Sequence, residues 1–171
     1  MGRIGTSVAR RAVASGMKVI YYNRNRADDE AGATLVGSMD ELLEQSDFVS
    51  LHCPLTPETQ GLIGAAELAK MQDHAVLINT SRGPVVDMEA LTDGLKAGAI
   101  AYAALDVTDP EPIPTDHPLL GMENVTLLPH IASATVGTRR KMSEMTVDNI
   151  LAVLRGELPP NCVNSDSIDW S

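Results

Sequence analysis

Ala75-Val76-Leu77-Ile78-Asn79-Thr80-Ser81-Arg82-Gly83 opens the stretch of this chain that decides its fold. An apolar run of strand length, Ala75 to Asn79, ends in small polar residues and reads as a buried strand. Asp87 can cap a helix with Met88, Leu91 and Leu95 on its inward face, and Gly98 stops it. A second apolar run, Ala99 to Leu105, follows at once. Strand, helix, strand without a hairpin turn is the signature of parallel pairing, because parallel neighbours need a crossover of helix length.

The pattern extends in both directions. Gly5 to Ser15 reads as a helix with Val8, Ala9, Ala12 and Val13 on one face and Gly16 as its stop, and Met17 to Tyr22 as a strand. Ser38-Met39-Asp40-Glu41 has the form of a capping box for a helix with Met39, Leu42 and Leu43 inward. Asp47 to His52 is the next strand, and Ala65 to Met71 a short helix. Beyond Leu105 lies a proline-rich loop, Pro110 to Pro118, then a strand from Val125 to Leu128. Ser133 to Leu154 is a long helix whose Val147, Ile150, Leu151 and Leu154 recur at helical spacing. The expected fold is α/β, a Rossmann-like doubly wound parallel sheet. It occupies residues 1–154, with an extended tail over 155–171.

Composition narrows the function classes. At 171 residues there is material for one domain with a core, and with 3% aromatics that core must be aliphatic. A net charge of -10 and a pI near 4.7 argue against nucleic acid and anionic membrane as partners. Cys53 and Cys162 have no zinc-like spacing, no other metal set stands out, and reduced thiols suit a cytoplasmic protein. No apolar run approaches a membrane span, and no signal-peptide pattern flanks Arg3, Arg10 and Arg11.

Met1-Gly2-Arg3-Ile4-Gly5 runs straight into the first helix. Gly2 and Gly5 fit the second and third glycines of a dinucleotide fingerprint, where backbone amides at a helix N-terminus face a pyrophosphate. The first glycine and the strand before it are absent. In the order 3-2-1-4-5-6 that strand is central, so its two neighbours would expose unpaired edges, and the expectation is an N-terminally truncated domain. Where NAD sites usually place an acid, this chain has Asn23, followed by Arg24 and Arg26. Guanidinium there suits a 2′-phosphate, so NADP(H) is the expected preference, with NAD(H) the alternative.

These motifs together resemble the D-isomer-specific 2-hydroxyacid dehydrogenase family. They are Gly-Arg-Ile-Gly at 2–5, His52-Cys53-Pro54-Leu55-Thr56-Pro57-Glu58-Thr59, Asn79-Thr80-Ser81-Arg82-Gly83, Leu105-Asp106-Val107 with Glu111-Pro112, and Pro129-His130-Ile131 before Ser133-Ala134-Thr135. Within the family the 106–112 segment, His117-Pro118-Leu119-Leu120 and the arginines after Asn23 look most like glyoxylate/hydroxypyruvate reductases.

The resemblance implies a nucleotide-binding domain whose substrate domain is built mostly from residues upstream of Met1, in a cytoplasmic homodimer acting on a small 2-oxo acid. It implies His130 as the proton donor, Glu111 as the acid that tunes it, and Arg82 as the cation that holds the substrate carboxylate. Gly2, Arg3, Ile4, Asn23, Arg24, Arg26, Cys53, Pro54, Thr80, Arg82, Asp106 and His130 would face the cofactor, with Asp106 on its nicotinamide side. Ala132 stands where the family often has glycine. Two other readings are a nucleotide-sensing protein like the corepressors that share the fold, and an inactive fragment of the dehydrogenase. Short-chain reductase chemistry does not fit, since Tyr21, Tyr22 and Tyr102 are followed four residues on by Asn25, Arg26 and Asp106.

Overall fold

A computed structural model describes residues 1–168. Met1–Pro129 forms one compact unit, and a second begins at His130. In the first unit the strand expected at Ala75 is β4 (Val76–Asn79), and the crossover helix is α4 (Met88–Ala97). The Asp87 carboxylate accepts from the amides of Glu89 and Ala90, both at 3.0 Å, and Gly98 adopts the left-handed conformation (φ 72°) that ends the helix. The return strand is β5 (Tyr102–Leu105). β3 (Phe48–Leu51) and β6 (Val125–Leu127) flank this pair, giving a parallel four-stranded sheet in the order β3-β4-β5-β6.

Before it come α1 (Arg3–Ala14), β1 (Ile20–Tyr21), β2 (Thr34–Leu35) and α2 (Met39–Gln45), with α3 (Ala65–Leu68) between β3 and β4. β1 and β2 pair in parallel as a separate two-stranded ladder. Among the described residues β1 pairs with β2 alone and β3 with β4 alone. The ladder thus breaks where the doubly wound order puts its first strand.

Leu43, Leu51, Ile63, Leu68, Leu77, Leu91 and Leu105 are buried in one aliphatic cluster, as the scarcity of aromatics requires. The Ala75–Asn79 run is less buried than its apolar character suggests. Ala75, Leu77 and Asn79 are buried, whereas Val76 and Ile78 are half-buried. β3 alternates more strongly, with Phe48 55% exposed and Val49 buried. A strand covered fully on one face alone shows this period of two, while a strand covered on both reads apolar throughout.

Several boundaries differ from those expected. α1 begins at Arg3 rather than Gly5, and on its expected face Ala9 is buried while Val8 stays exposed. The Met17–Tyr22 strand shortens to Ile20–Tyr21, the length of its partner. Ser38 caps α2 by accepting from the Glu41 amide, but the Glu41 carboxylate bonds the Gly37 amide instead of closing a reciprocal box.

The second unit holds α5 (Val136–Leu154), capped by Thr135 rather than starting at Ser133. Its periodic residues Val147, Ile150, Leu151 and Leu154 are all exposed, and Ala152 is the residue it buries. The expected extended tail over 155–171 contains a short 3-10 turn at Ser165–Ser167. Its last three residues lie outside the described ones. No described helix is long and apolar enough to cross a membrane.

Candidate active site

Sheet register brings the candidate loops together. Leu51 pairs with Asn79, Asn79 with Leu105, and Leu105 with Leu127. The strands are parallel, so all four chains leave the sheet along one edge. His52-Cys53-Pro54 follow β3, Thr80-Ser81-Arg82-Gly83 follow β4, and Asp106 follows β5. Open α/β sheets bind ligands outside this carboxyl edge.

The β4 loop is held from within. The Asn79 side chain is buried to 1% exposure. Its Nδ2 donates to the Arg82 carbonyl at 2.9 Å, and its Oδ1 accepts from the Ser81 amide at 3.0 Å and the Ser81 hydroxyl at 2.8 Å. Arg82 itself is exposed, with Nη1 donating to the Ser81 carbonyl at 2.6 Å. The next residue locks this loop to the one after β5. A Cβ built on Gly83 would lie 1.8 Å from the Thr108 carbonyl oxygen and 2.9 Å from the Asp109 nitrogen. Only a bare Cα admits that approach.

The β5 loop carries two of the expected residues. Asp106 is buried, and its amide donates to the Asn79 carbonyl at 2.9 Å. Thr108 is also buried, and its hydroxyl donates to the Pro110 carbonyl at 2.9 Å, shaping the segment that presents exposed Glu111. β6 leaves the edge with the Leu128 amide bonded to the Leu105 carbonyl at 2.9 Å.

His130 opens the second unit, exposed, at φ 52°. A non-glycine residue in the left-handed region carries a strain of about 1 kcal/mol or more, and such strain clusters at functional positions. The Ala134 amide then bonds back to the Ile131 carbonyl at 2.9 Å, a turn that leads towards the Thr135 cap of α5.

The first helix fits a dinucleotide phosphate. Gly2 is its N-cap, with no side-chain cap bond and no acid in the first turn, the arrangement that suits an anion at a helix N-terminus. A Cβ on Gly2 would meet nothing within 4 Å, which leaves the approach open. One on Gly5 would lie 3.4 Å from the His52 Cβ, so close packing there favours glycine without demanding it. A depression of about 390 Å³ lies beside this turn, lined by Arg3, Thr6 and Arg10 of the helix and Asp28 and Asp29 of the β1–β2 loop. Asn23 reaches the same region, its Oδ1 accepting from the Met1 amino group at 2.6 Å.

The two arginines after Asn23 part company. Arg26 Nη2 pairs with Glu30 Oε2 at 2.9 Å, and the Tyr21 hydroxyl donates to the other Glu30 oxygen at 2.7 Å. Arg26, and then Tyr21, hold the Glu30 carboxyl below the usual carboxylate range. Arg24 is exposed. Cys53 and Cys162 are free thiols, and burial pushes the Cys53 thiol up. Pro54 and Thr80 are exposed at the edge.

The sequence pattern assigns no task to Asn79 or Gly83. Both act through contacts made only in the folded chain, although a polar residue closing an apolar strand run was a visible sign for Asn79.

A parallel sheet with uncapped helix amides and polar loops at its carboxyl edge defines a dinucleotide-binding α/β domain. Residues 1–132 match the family described as D-isomer specific 2-hydroxyacid dehydrogenase, NAD binding domain. The chain belongs to this family. It is 53% identical over 171 residues to a glyoxylate reductase of Korarchaeum cryptofilum, covering 98% of this chain and 51% of that protein. It is 47% identical over 167 residues to a glyoxylate/hydroxypyruvate reductase B of Escherichia fergusonii, covering 96% and 52%. The crystal structure of a glyoxylate reductase from Paecilomyes thermophila superposes with a TM-score of 0.84 at 45% identity, covering 92% of this chain and 48% of that one. The chain thus spans about half the length of the curated relatives it matches.

Proposed function

We propose that this chain is the nucleotide-binding half of a dehydrogenase that reduces a small 2-oxo acid, glyoxylate or hydroxypyruvate, with NADPH preferred over NADH. The observation that carries the proposal is the carboxyl edge of the sheet, where the loops bearing Arg82 and Glu111 are locked together at Gly83 and Thr108. The relatives named above support the substrate class.

A reduced nicotinamide, when bound, supplies the hydride. The chain's own residues supply the rest. The planar guanidinium of Arg82 takes the substrate carboxylate through paired hydrogen bonds. His130 gives a proton to the substrate's carbonyl oxygen, so that with the hydride on carbon the carbonyl becomes an alcohol and charge is balanced. Glu111 is the acid proposed to tune that histidine. The N-terminal turn of α1, with Gly2, Arg3 and Ile4, takes the pyrophosphate, and Asp106 anchors the nicotinamide side. Cys53, Pro54 and Thr80 line the remainder of the nucleotide. Arg24 is the first cation for a 2′-phosphate, because Arg26 must first leave Glu30.

Turnover of glyoxylate by the full-length enzyme tests this reading. We expect kcat/KM with NADPH to exceed that with NADH by about tenfold, one charge-assisted contact. Arg24→Ala should remove most of that preference. Equal or better turnover with NADH would overturn the cofactor assignment, and no turnover with either would overturn the enzyme.

A further inference from the structure

We infer that Asn79 is the positioning residue for Arg82, acting through its carboxamide on the loop that follows β4. The inference rests on the proposed role of Arg82 in holding the substrate carboxylate. Asn79 sits at the last position of β4, where a parallel strand meets its loop, and its side chain is almost fully buried. A buried amide is stable only when its donors and acceptors are used. Here its partners lie within three residues on the same loop. Nδ2 donates to the Arg82 carbonyl and Oδ1 accepts twice from Ser81. The backbone carbonyl of Asn79 meanwhile accepts from Asp106, so one residue fixes the Arg82 loop to the start of the β5 loop.

The geometry has a functional sense. Arg82 is exposed and its side chain is long, so the direction in which its guanidinium leaves the sheet depends on the backbone beneath it. Nη1 folds back onto the Ser81 carbonyl, and the Asn79 amide fixes the Ser81 amide and hydroxyl and the Arg82 carbonyl. Gly83 then closes the turn against Thr108. A displacement of about 1 Å at a substrate-orienting cation can cost about 100-fold in rate.

Asn79→Asp keeps the shape but turns the donor that meets the Arg82 carbonyl into an acceptor. In the full-length enzyme we expect it to lower kcat/KM for glyoxylate by about 30- to 100-fold, with KM rising and kcat falling together. The dissociation constant for NADPH, read by nucleotide fluorescence, should stay within about twofold. The decisive measurement is the double variant. If Asn79 acts through Arg82, adding Asn79→Asp to Arg82→Ala should cost less than about threefold further. Losses that multiply, or a loss that appears chiefly in NADPH binding, would overturn the inference.

Should Asn79→Asp not fold, Ser81→Ala removes one of the three bonds at a half-buried site. Its smaller loss, about three- to tenfold, should likewise vanish beside Arg82→Ala, and unchanged glyoxylate turnover with Ser81→Ala would count as refutation. Arg82→Ala alone separates the two proposals. If it leaves glyoxylate turnover intact, the role of Arg82 fails and the role of Asn79 falls with it. If it abolishes turnover while Asn79→Asp does not, only the positioning role fails.

Discussion

Gly83 makes the sharpest single-residue demand in the first unit. Its Cα faces the Thr108 peptide so closely that one methyl group would overlap the carbonyl oxygen, and both sides of the contact are backbone. Neither loop can relieve the clash by turning a side chain. Gly83→Ala should therefore cost more than about 3 kcal/mol, the upper end of overpacking penalties. Gly2→Ala, in open space at the cap of α1, should cost about 1 kcal/mol or less. Equilibrium denaturation of both variants checks the contrast, and similar losses would show that the Gly83–Thr108 approach is not limiting. Here the sequence was only partly legible. Arg82 and Glu111 stand out as charged residues at the ends of apolar runs. The tasks of Asn79 and Gly83 depend on Thr108 and on the hydrogen-bonding state of a loop, and no local pattern encodes either.

At the scale of elements, local signals served well where they were chemical. The Asp87 cap and the left-handed Gly98 bracket α4 as expected, and four of the five runs read as strands joined one parallel sheet, while Met17–Tyr22 supplied a strand of the separate two-stranded ladder. Boundaries failed where a partner decides them. β1 is two residues long because β2 offers it only two, and β2, Thr34–Leu35, has no run to betray it. Two histidines add a test in which elements respond to pH with opposite sign. His74, before β4, bonds Asp47, before β3, at 2.8 Å, and that bond raises its pKa above the ordinary value. Its contribution is fully present below about pH 6.5 and fades as pH rises through the raised value. His52, at the exit of β3 beside Gly5, is held below the ordinary value chiefly by burial. Its folded form resists protonation, so it lowers stability as pH falls through about 6.5 towards the depressed value. Melting temperatures at about pH 5.5 and about pH 8.5 should thus move oppositely. His74→Gln should be more harmful at the lower pH. His52→Gln should be less harmful there, and equal pH trends for the two variants would refute this account.

At the scale of the molecule, the first unit is unevenly supported. The β3-β4-β5-β6 sheet lies on the aliphatic cluster of Leu43, Leu77, Leu91 and Leu105, with α3 and α4 packed together against it. The β1-β2 pair rests on a separate small cluster of Ala9, Tyr21 and Ala33. The composition announced an aliphatic core, but it could not show that the core divides, because the division follows from strand order. Opening free energy tracks buried apolar contact and ladder length, so the two ladders should exchange their amide hydrogens on different scales. The amides of Leu77, Ile78 and Ala104, inside a continuous four-stranded ladder, should be the most protected. Those of Thr34 and Val36, bonded only to the Val19 and Tyr21 carbonyls, should exchange at least about 100-fold faster, a difference of about 2.7 kcal/mol in opening free energy. Nucleotide should narrow the gap, since the proposed site joins α1, which buries Ala9 in the small cluster, to loops of the larger sheet. Ligand that binds only the closed form stabilises by mass action, about 2.7 kcal/mol at a hundred times its dissociation constant. Hydrogen exchange with and without NADPH reads both effects. Uniform protection without nucleotide would contradict the division of the core, and protection by NADPH confined to the four-stranded sheet would place the nucleotide away from α1.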